Sequence, residues 1–353
     1  MAPFAGYDMP ISYPTGAVEE HLICRRSVGL FDIDHMGQFE LQGPGADDFL
    51  SGLVSSRILD MKSGDARYSL LLDEGGMVLD DLFIYRLPKG WWVVVNASNR
   101  ARDLEWMRVR APQGLSLVDR SDDTYMIAVQ GPRAIELLDA VSRAEGRERP
   151  ASTLERFCAC EMDIGGTRVL FGRTGYTGED GGELFFPAES ALEVWELLLA
   201  EGGKLGIEAA PIGLAARDSL RFEAGMPLHG HEISPSINPI EAGFKWACDF
   251  EKDFVGRSAL EPIVAAGPSR RLVALDVSGG VPREGFAVLT PQGESVGICV
   301  AGMFCPTVKK YAANAFVPPA LAKVGTVLAV SIRDRPREAL VVKRPLYLPA
   351  YRR

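Results

Sequence analysis

The stretch Met77-Val78-Leu79-Asp80-Asp81-Leu82-Phe83-Ile84-Tyr85 has the apolar and β-branched content of a buried strand, yet two aspartates lie side by side within it. Successive side chains of a strand point to opposite faces of the sheet, so at least one of the two carboxylates must point inward. Burial raises the pKa of a carboxyl, whereas hydrogen bonds or a nearby cation lower it. An inward aspartate is therefore either a satisfied structural residue or a group poised for chemistry, and the strand alone leaves both interpretations open.

Turn residues flank this strand at hairpin spacing. Asp73-Glu74-Gly75-Gly76 precede it and Pro88-Lys89-Gly90 follow it. The apolar segments beyond the two turns, residues 68–72 and 91–97, are then its partners in an antiparallel meander. A helix is predicted next, over residues 99–108.

One motif occurs twice, 88 residues apart: Leu41-Gln42-Gly43-Pro44-Gly45-Ala46 and Val129-Gln130-Gly131-Pro132-Arg133-Ala134. Each copy joins a strand-like segment to an apolar, helix-like one, and we expect its proline in the first turn of the helix, where the missing N–H is tolerated. The spacing is too long for a solenoid, so two related α+β units are predicted. The alternative, that the motif is only a common strand-to-helix connector, stays open.

The second half continues with mixed elements and then changes to short alternating strands. Strands are predicted over 167–172 and 183–186, and helices over 190–201 and 212–222. Beyond the predicted linker Gly267-Pro268-Ser269, strands separated by glycine and proline turns indicate an all-β barrel or sandwich. These strands are predicted over 272–277, 287–289, 296–300, 312–317, 327–332 and 339–342.

The chain of 353 residues is longer than one hydrophobic core usually supports, so two or three domains are expected. Its content of 47% apolar and 24% charged residues is that of an ordinary globular protein. The net charge of −9 disfavours non-specific binding to nucleic acid or to an anionic membrane surface. No apolar stretch approaches the ~20 residues that cross a bilayer, and no secretory signal is evident, so a soluble cytoplasmic protein is predicted.

The cysteines and histidines give no sign of a metal site. The cysteines lack zinc or redox spacing, and we interpret all of them as small buried apolar residues. They are Cys24, Cys158, Cys160, Cys248, Cys299 and Cys305. The four histidines form no known ligand set, although His229 and His231 would share one face if they lay on a strand. No metal is therefore predicted.

A glycine-rich segment runs from Gly172 to Glu183, with the sequence GRTGYTGEDGGE. It lacks the GK[ST] ending of a phosphate loop, and its acidic residues would repel phosphate. Glycines let the backbone approach a flat ligand closely. A carboxylate emerging from such a turn suits a ligand with two adjacent N–H donors, such as a 2-aminopyrimidinone. A plain long hairpin is the alternative.

The segment from Ala215 to Gly225 reads as a helix with Arg217 and Arg221 on one face, because they are four residues apart. Asp218 and Glu223 are available as partners. Surface salt bridges are the ordinary explanation of such a pattern, and they contribute little to stability. A binding role for the arginines is the other.

Taken in order, several stretches resemble the glycine-cleavage T-protein family of tetrahydrofolate-dependent aminomethyltransferases. They are FAGYDMP from Phe4, DIDHMGQ from Asp32, DEGGMVLDDL from Asp73, VVNAS from Val94, GYTGEDGGE from Gly175 and GLAARDSLRFEAG from Gly213. Gly302-x-x-Cys305-Pro306-Thr307 and the tail Lys343-Arg344-Pro345-Leu346-Tyr347-Leu348-Pro349-Ala350-Tyr351-Arg352 extend the resemblance to the whole chain.

The resemblance implies an α+β fold: a three-domain cloverleaf of two related α+β (ferredoxin-like) units and a C-terminal all-β barrel around a central folate channel. The first α+β domain, which binds folate, is predicted over 1–38 and 122–232. The second, which carries the catalytic aspartate, is predicted over 39–121 and 233–268. The barrel is predicted over 269–353.

The resemblance also assigns the site. Asp81, the second of the paired aspartates, is the expected catalytic residue, which would orient the nucleophile and favour a cationic transferred carbon. Glu183 is expected to hold the pterin edge. The remaining residues expected to line the folate site are Tyr68, Asn96, Tyr176, Arg217 and Tyr351.

The implied reaction moves the carbon of an aminomethyl group, carried on the lipoyl arm of a partner protein, to tetrahydrofolate. Its products are 5,10-methylenetetrahydrofolate and ammonia. The expected cofactor is tetrahydrofolate, and the expected partner is the lipoylated carrier (H) protein. A monomer is predicted.

Three departures from the family pattern keep other functions open. Asp34 stands where the family commonly has Ser, His229 where it has Tyr, and Val300-Ala301 where it has Thr-Ser. A changed donor channel would fit a tetrahydrofolate-dependent demethylase of a small N-, O- or S-methylated compound. A non-catalytic folate-binding protein is a third alternative, but its Lys-Gly-Cys signature is absent and the aspartate pair is intact. Because the family usually has a short segment before FAGYDMP, the native start is expected upstream.

Overall fold

A computed structural model describes residues 1–143 and 150–352. The strands in these ranges are β1 (Ala2–Phe4), β2 (Tyr7–Met9), β3 (Val28–Asp32), β4 (Gly37–Gln42), β5 (Ala66–Leu72), β6 (Val78–Leu87), β7 (Gly90–Val95), β8 (Ser116–Asp119), β9 (Thr124–Gln130), β10 (Ser142–Arg143), β11 (Ala159–Ile164), β12 (Thr167–Gly172), β13 (Gly181–Pro187), β14 (Ala209–Pro211), β15 (Arg271–Val277), β16 (Ala287–Leu289), β17 (Ser295–Cys305), β18 (Lys310–Val317), β19 (Val327–Ile332) and β20 (Arg335–Val342).

The α-helices of the same ranges are α1 (Ala17–Arg26), α2 (Ala46–Leu53), α3 (Arg100–Arg108), α4 (Ala134–Val141), α5 (Pro150–Thr153), α6 (Ala191–Lys204), α7 (Leu214–Glu223), α8 (Pro239–Ala242) and α9 (Arg257–Ala266). None of these described helices has the length and apolar content needed to span a membrane.

The predicted meander forms the core of a five-stranded antiparallel sheet with the order β5-β6-β7-β4-β8. Leu70 lies opposite Asp81 and Tyr68 lies opposite Phe83, so these four side chains share one face. The other face packs Leu82 and Ile84 against α2 and α3. The aspartate strand therefore separates a helix-covered core from a second, inner face.

A seven-stranded sheet with the order β10-β11-β12-β13-β9-β3-β14 forms the other α+β layer. One of its faces packs on α4 and α6 through residues such as Leu138 and Leu198. Its opposite face meets the inner face of the five-stranded sheet, where Phe185 packs near Tyr85 and Trp92. The two sheets thus enclose a shared apolar layer, and any ligand site within it is lined from both sides.

Both copies of the repeated motif lead from a strand into a helix, as predicted: β4 leads into α2, and β9 leads into α4. The predicted position of the prolines within the helices is wrong. Gly45 and Arg133 are the N-cap residues, so Pro44 and Pro132 lie just before them. Ala46 N donates to the Gly43 carbonyl at 3.3 Å, so Pro44 takes the second position of a turn, where its fixed φ is equally favourable.

The C-terminal strands close into a barrel with the order β15-β18-β17-β16-β19-β20, which confirms the α+β class with a C-terminal barrel. The linker prediction agrees with the end of α9 at Ala266 and the start of β15 at Arg271. The prediction over 296–300 covers only half of β17. Its pairing with β18 shifts register between Cys299 and Ala301, and this bulge breaks the alternation from which a strand is recognised.

The division into three domains stays a proposal, and the sheet membership supports it. The five-stranded sheet lies within residues 37–119, the seven-stranded sheet uses residues 28–32 and 124–211, and the barrel spans residues 271–342. One proposed boundary, between residues 38 and 39, lies inside β4 (Gly37–Gln42).

One smaller expectation, on the cysteines, needs correction. Cys158 and Cys160 are only half-buried, whereas the other four cysteines are buried as predicted. His229 and His231 are not on a regular strand, because His229 makes only an isolated bridge to Ile233. Within residues 1–143 and 150–352, no three His, Cys, Asp or Glu side chains form a group that could hold a metal ion.

Candidate active site

A cavity of about 300 Å³ lies between the two α+β sheets. Its walls come from the inner faces of both sheets and from the segments that follow α7 and α8. Its polar side chains, other than the Trp246 indole, are six of the seven residues that the sequence analysis predicted for the site. They are Tyr68, Asp81, Asn96, Tyr176, Glu183 and Arg217.

Asp81 enters the cavity from β6. Asn96, just past the end of β7, donates from Nδ2 to Asp81 Oδ1 at 2.8 Å. Burial and the charge of the neighbouring Asp80 raise the pKa of Asp81 to about 7, although the bond from Asn96 opposes them. Asp81 therefore exchanges its proton near neutral pH, which suits a carboxylate that takes part in chemistry.

Glu183 enters the same cavity from β13 of the opposite sheet. Its Oε2 accepts hydrogen bonds from the Tyr85 hydroxyl at 2.9 Å and from the Thr174 hydroxyl at 2.5 Å. Both bonds go to one oxygen, which leaves Oε1 available to a ligand. Burial raises the pKa of Glu183, while the two hydroxyls lower it.

The glycine-rich segment connects β12 to β13, so the hairpin interpretation and the binding interpretation both describe it. Gly175 lines the cavity, and a Cβ there would lie 2.0 Å from Gln130 Oε1, so this close approach requires glycine. Arginines pair with the other two acidic residues: Arg25 with Glu179 at 3.0 Å, and Arg173 with Asp180 at 2.7 Å. Glu183 is thus the acidic residue of the segment that faces the cavity.

Arg217 and Tyr176 form one wall together. The guanidinium carbon of Arg217 lies 4.7 Å from the centroid of the Tyr176 ring. The Tyr176 hydroxyl donates to the Pro227 carbonyl, which fixes the ring. A flat, partly polar ligand would find an aromatic face and a cation here.

The helical pair Arg217 and Arg221 is not a surface feature. Arg221 is only 1% exposed, and its Nη1 lies 2.8 Å from Glu232 Oε2. Glu232 also accepts from Asn314 of the barrel at 2.7 Å. Burial raises the pKa of Glu232, but the Arg221 charge and these hydrogen bonds hold it below its usual range. Asp218, which the sequence also offered as a partner, bonds Arg221 at 2.8 Å from a half-exposed position.

Replacing Glu232 with glutamine is expected to lower the free energy of unfolding by about 3–5 kcal/mol, because it leaves the Arg221 charge buried without its main partner. Asp218→Asn is the matched control and should cost about 1 kcal/mol or less, because that carboxylate is 44% exposed. Since the folded pKa of Glu232 is lowered, its contribution is present above the pKa of an unfolded glutamate and is lost as the pH falls. Urea unfolding of both variants measures the difference, and equal losses would contradict the assignment.

Aromatic residues that the sequence did not single out complete the cavity. Trp246 is 69% exposed and stacks on Tyr68, with ring centroids 5.5 Å apart. Phe157 is 50% exposed and stacks on Phe83 at 6.2 Å. Neither lies in a periodic pattern, so only the contact across the fold reveals them. The Tyr68 hydroxyl is buried beside Asp81, and burial together with the Asp81 carboxylate raises the pKa of Tyr68 well above its usual value.

Tyr351 does not line this cavity. Its hydroxyl donates to the Gly178 carbonyl at 2.6 Å, and the Arg156 guanidinium lies 3.3 Å from its ring centroid. Tyr351 therefore contacts the glycine-rich segment and not the space between the sheets. A folate-lining role for it stays a prediction.

The positions that depart from the family pattern also lie outside the cavity lining. Asp34 is half-buried beside Asp32, and burial together with that charge raises the pKa of Asp34 to about 6. His229 lies next to Val78 and Leu79, near the start of β6. Val300 is on β17 of the barrel, where its carbonyl lies 2.8 Å from His231 Nδ1. These changes do not alter the polar lining.

Two α+β layers close on a cavity that carries a carboxylate from each sheet, and a barrel lies beside them. This arrangement places the protein among the transferases that are built on the same architecture. The family model described as the GCVT N-terminal domain matches residues 1–252, and the model described as the glycine cleavage T-protein C-terminal barrel domain matches residues 270–347. The chain therefore belongs to the glycine cleavage T-protein family.

Individual members of this family are similar to the chain along nearly its whole length. An aminomethyltransferase of Symbiobacterium thermophilum is 43% identical, over 100% of this chain and 95% of that protein. An aminomethyltransferase of Synechococcus sp. strain CC9902 is 42% identical, over 98% of this chain and 95% of that protein. The crystal structure of the glycine cleavage system aminomethyltransferase T from Bartonella henselae superposes with a TM-score of 0.91 at 33% identity, covering 100% of this chain and 95% of that one.

Proposed function

We propose that the protein is an aminomethyltransferase of glycine cleavage. It takes the carbon of an aminomethyl group from the lipoyl arm of a carrier (H) protein, passes it to tetrahydrofolate and releases ammonia. The observation that carries this proposal is that Asp81 and Glu183 line one cavity from opposite sheets. We also propose that the enzyme works in the cytoplasm, as predicted from the sequence.

The cavity residues fit a reduced pterin. Glu183 is a half-buried carboxylate whose Oε1 is still available, so it can accept an N–H donor of a 2-aminopyrimidinone edge in a charge-assisted hydrogen bond. The rings of Tyr176 and Trp246 offer apolar faces to a flat heterocycle. The Tyr68 hydroxyl lies beside the Asp81 carboxylate in the cavity wall, where a bound ligand would meet both groups. When bound, tetrahydrofolate supplies the amine nitrogen that accepts the carbon.

The protein's own contribution to the reaction centres on Asp81. Its carboxylate is half-buried in the cavity wall, where a negative charge favours positive charge developing on a transferred carbon. Asn96 fixes Oδ1 by its 2.8 Å hydrogen bond, so the carboxylate is oriented before any substrate arrives. Aromatic side chains, among them Tyr68 and Phe83, line the cavity around it.

The demethylase alternative depended on changed residues near the donor channel. Asp34, His229 and the Val300-Ala301 pair lie outside the cavity lining, so these residues do not support that alternative.

Supplying tetrahydrofolate together with either class of donor tests the proposal. We expect 5,10-methylenetetrahydrofolate with the aminomethylated carrier protein and no product with free N-, O- or S-methyl compounds. The matched control is the same carrier without its lipoyl group, which should give none. Formation of 5-methyltetrahydrofolate from a free methyl compound would instead establish the demethylase.

A further inference from the structure

Asp80 faces away from the cavity and has no exposure to solvent. Three N–H groups bond its carboxylate: Asn96 N at 2.9 Å, Asn96 Nδ2 at 2.8 Å and Asn99 Nδ2 at 2.6 Å. A carboxylate that accepts several N–H bonds is stabilised in its charged form. Asp80 therefore has the hydrogen-bond donors that a buried carboxylate anion requires.

A second fully buried carboxyl, Asp103 of α3, lies beside Asp80 and has fewer and longer hydrogen bonds from donors. Its Oδ1 accepts two bonds of 3.2 Å from Arg102, and its Oδ2 is buried with no hydrogen-bond partner. A buried carboxylate oxygen without a donor is costly, whereas a protonated carboxyl supplies its own donor. The hydrogen-bond inventory therefore puts a proton on Asp103 and the charge on Asp80.

The other groups that face Asp80 do not change this balance. Burial lowers the pKa of His229, so its imidazole stays neutral near pH 7 and brings no cation to the pair. The Arg102 guanidinium is 38% exposed and is directed to Asp103 and to the Leu79 carbonyl. Asp81 is the remaining acidic neighbour, on the opposite face of the same strand.

Asn96 connects the buried pair to the active site. Its Nδ2 bonds Asp80 Oδ1 and Asp81 Oδ1, each at 2.8 Å. Because the backbone N–H of Asn96 is also held by Asp80, the amide is fixed with its NH₂ group between the two carboxylates. Asp81 Oδ1 is thus the oxygen that the Asn96 amide holds.

We propose that Asp80 and Asp103 share one buried proton that resides on Asp103, and that the Asp80 carboxylate acts as a positioning residue that orients Asp81 through Asn96 and sets its proton affinity. This inference deepens the proposed function, since it rests on Asp81 being the reactive carboxylate. Two pKa values agree with it. Burial and the Asp80 charge raise the pKa of Asp103 to about 10, and the same two causes raise the pKa of Asp81 to about 7.

Carbon-13 NMR of the full-length protein, labelled at the aspartate carboxyl carbons and without ligand, tests the proposal directly. The signal lost in Asp81→Asn identifies Asp81, whose midpoint is expected at about pH 7. In Asp80→Asn the Asp81 midpoint should fall by about one pH unit, a tenfold loss of proton affinity, because the neighbouring charge is gone. In Asp103→Asn, whose amide resembles a protonated carboxyl, the midpoint should not move.

An unshifted Asp81 midpoint in Asp80→Asn, or a downward shift in Asp103→Asn, would overturn the proposal. If Asp80→Asn fails to fold, the wild-type Asp103 signal decides: it should stay protonated well above pH 7, and ionisation below pH 7 would refute the shared proton. The titration needs no donor and no tetrahydrofolate, so its failure is distinguishable from a failure of the proposed function. With turnover established, the acid limb of kcat/KM should follow the Asp81 midpoint in each variant.

Discussion

Asp81→Asn is expected to lower kcat by about 100-fold or more, with the affinity for tetrahydrofolate nearly unchanged. Asparagine has the size of aspartate and can still accept the bond from Asn96, so the cavity keeps its shape. What is lost is the negative charge, and a preorganised charge or dipole at a reacting centre is worth about 100- to 1000-fold in rate. Turnover with saturating carrier protein gives kcat, and calorimetric titration gives the tetrahydrofolate affinity.

The raised pKa of Asp81 also predicts the direction in which activity and stability change with pH. If the carboxylate is the active form, wild-type kcat/KM rises with pH through about 7 as Asp81 loses its proton. The raised folded pKa also means that Asp81 contributes stability below the pKa of an unfolded aspartate and loses it as the pH rises through about 7. Asp81→Asn should therefore be more stable than the wild type above pH 7.

Asp34→Asn is the matched control for this variant. Asp34 is half-buried with a pKa raised to about 6, yet it lies outside the cavity lining. Its replacement should bring a similar gain of stability in alkaline solution without a loss of kcat. A kcat for Asp81→Asn equal to that of Asp34→Asn would show that Asp81 is not the reactive carboxylate.

Glu183→Gln is expected to weaken tetrahydrofolate binding by about 100-fold. Hydrogen bonds to a charged group contribute about 1.5–3 kcal/mol each, and about 1.4 kcal/mol corresponds to tenfold in affinity. Glutamine keeps the volume of the side chain but is neutral, and when its oxygen keeps the bonds from Tyr85 and Thr174 its NH₂ group takes the place of the accepting Oε1. Calorimetric titration of tetrahydrofolate measures the change, and kcat at saturation should stay close to that of the wild type.

Tyr85→Phe distinguishes the direct contact of Glu183 with the ligand from the support that Tyr85 gives to the Glu183 side chain. The Tyr85 hydroxyl bonds Glu183 Oε2 at 2.9 Å, so this variant loosens the carboxylate but leaves its charge in place. We expect it to weaken binding by less than about tenfold, since one neutral donor is lost and Thr174 remains. Wild-type affinity in Glu183→Gln would refute the pterin-binding role.

Much of the site follows from the pleat of a single strand. Alternation puts Asp80 and Asp81 on opposite faces, and the hairpin turns place Tyr68 on β5 and Asn96 just past the end of β7, both beside β6. Alternation does not say which face is covered by helices, and only the resemblance to the T-protein family assigned the cavity to Asp81. In the structure, α2 and α3 cover the other face.

The parts that sequence patterns missed depend on contacts between distant segments. Arg221 has the spacing of a surface helix residue, but its main partner, Glu232, lies in the segment after the helix. Asp103 follows Arg102 on α3 and no sequence pattern singles it out, yet the fold buries it beside Asp80. Trp246 and Phe157 reach the cavity from connecting segments without periodicity. Local sequence patterns do not predict contacts between segments that are distant in the chain.

The central claim is that the protein converts the carrier-bound aminomethyl group and tetrahydrofolate into 5,10-methylenetetrahydrofolate and ammonia. A single turnover, with enzyme in excess over the aminomethylated carrier protein, tests it most directly. We predict that ammonia and 5,10-methylenetetrahydrofolate form in equal amounts with the wild type, and that Asp81→Asn forms both at least about 100-fold more slowly. An unchanged carrier protein, in a sample that makes 5-methyltetrahydrofolate from a free methyl compound, would contradict the claim.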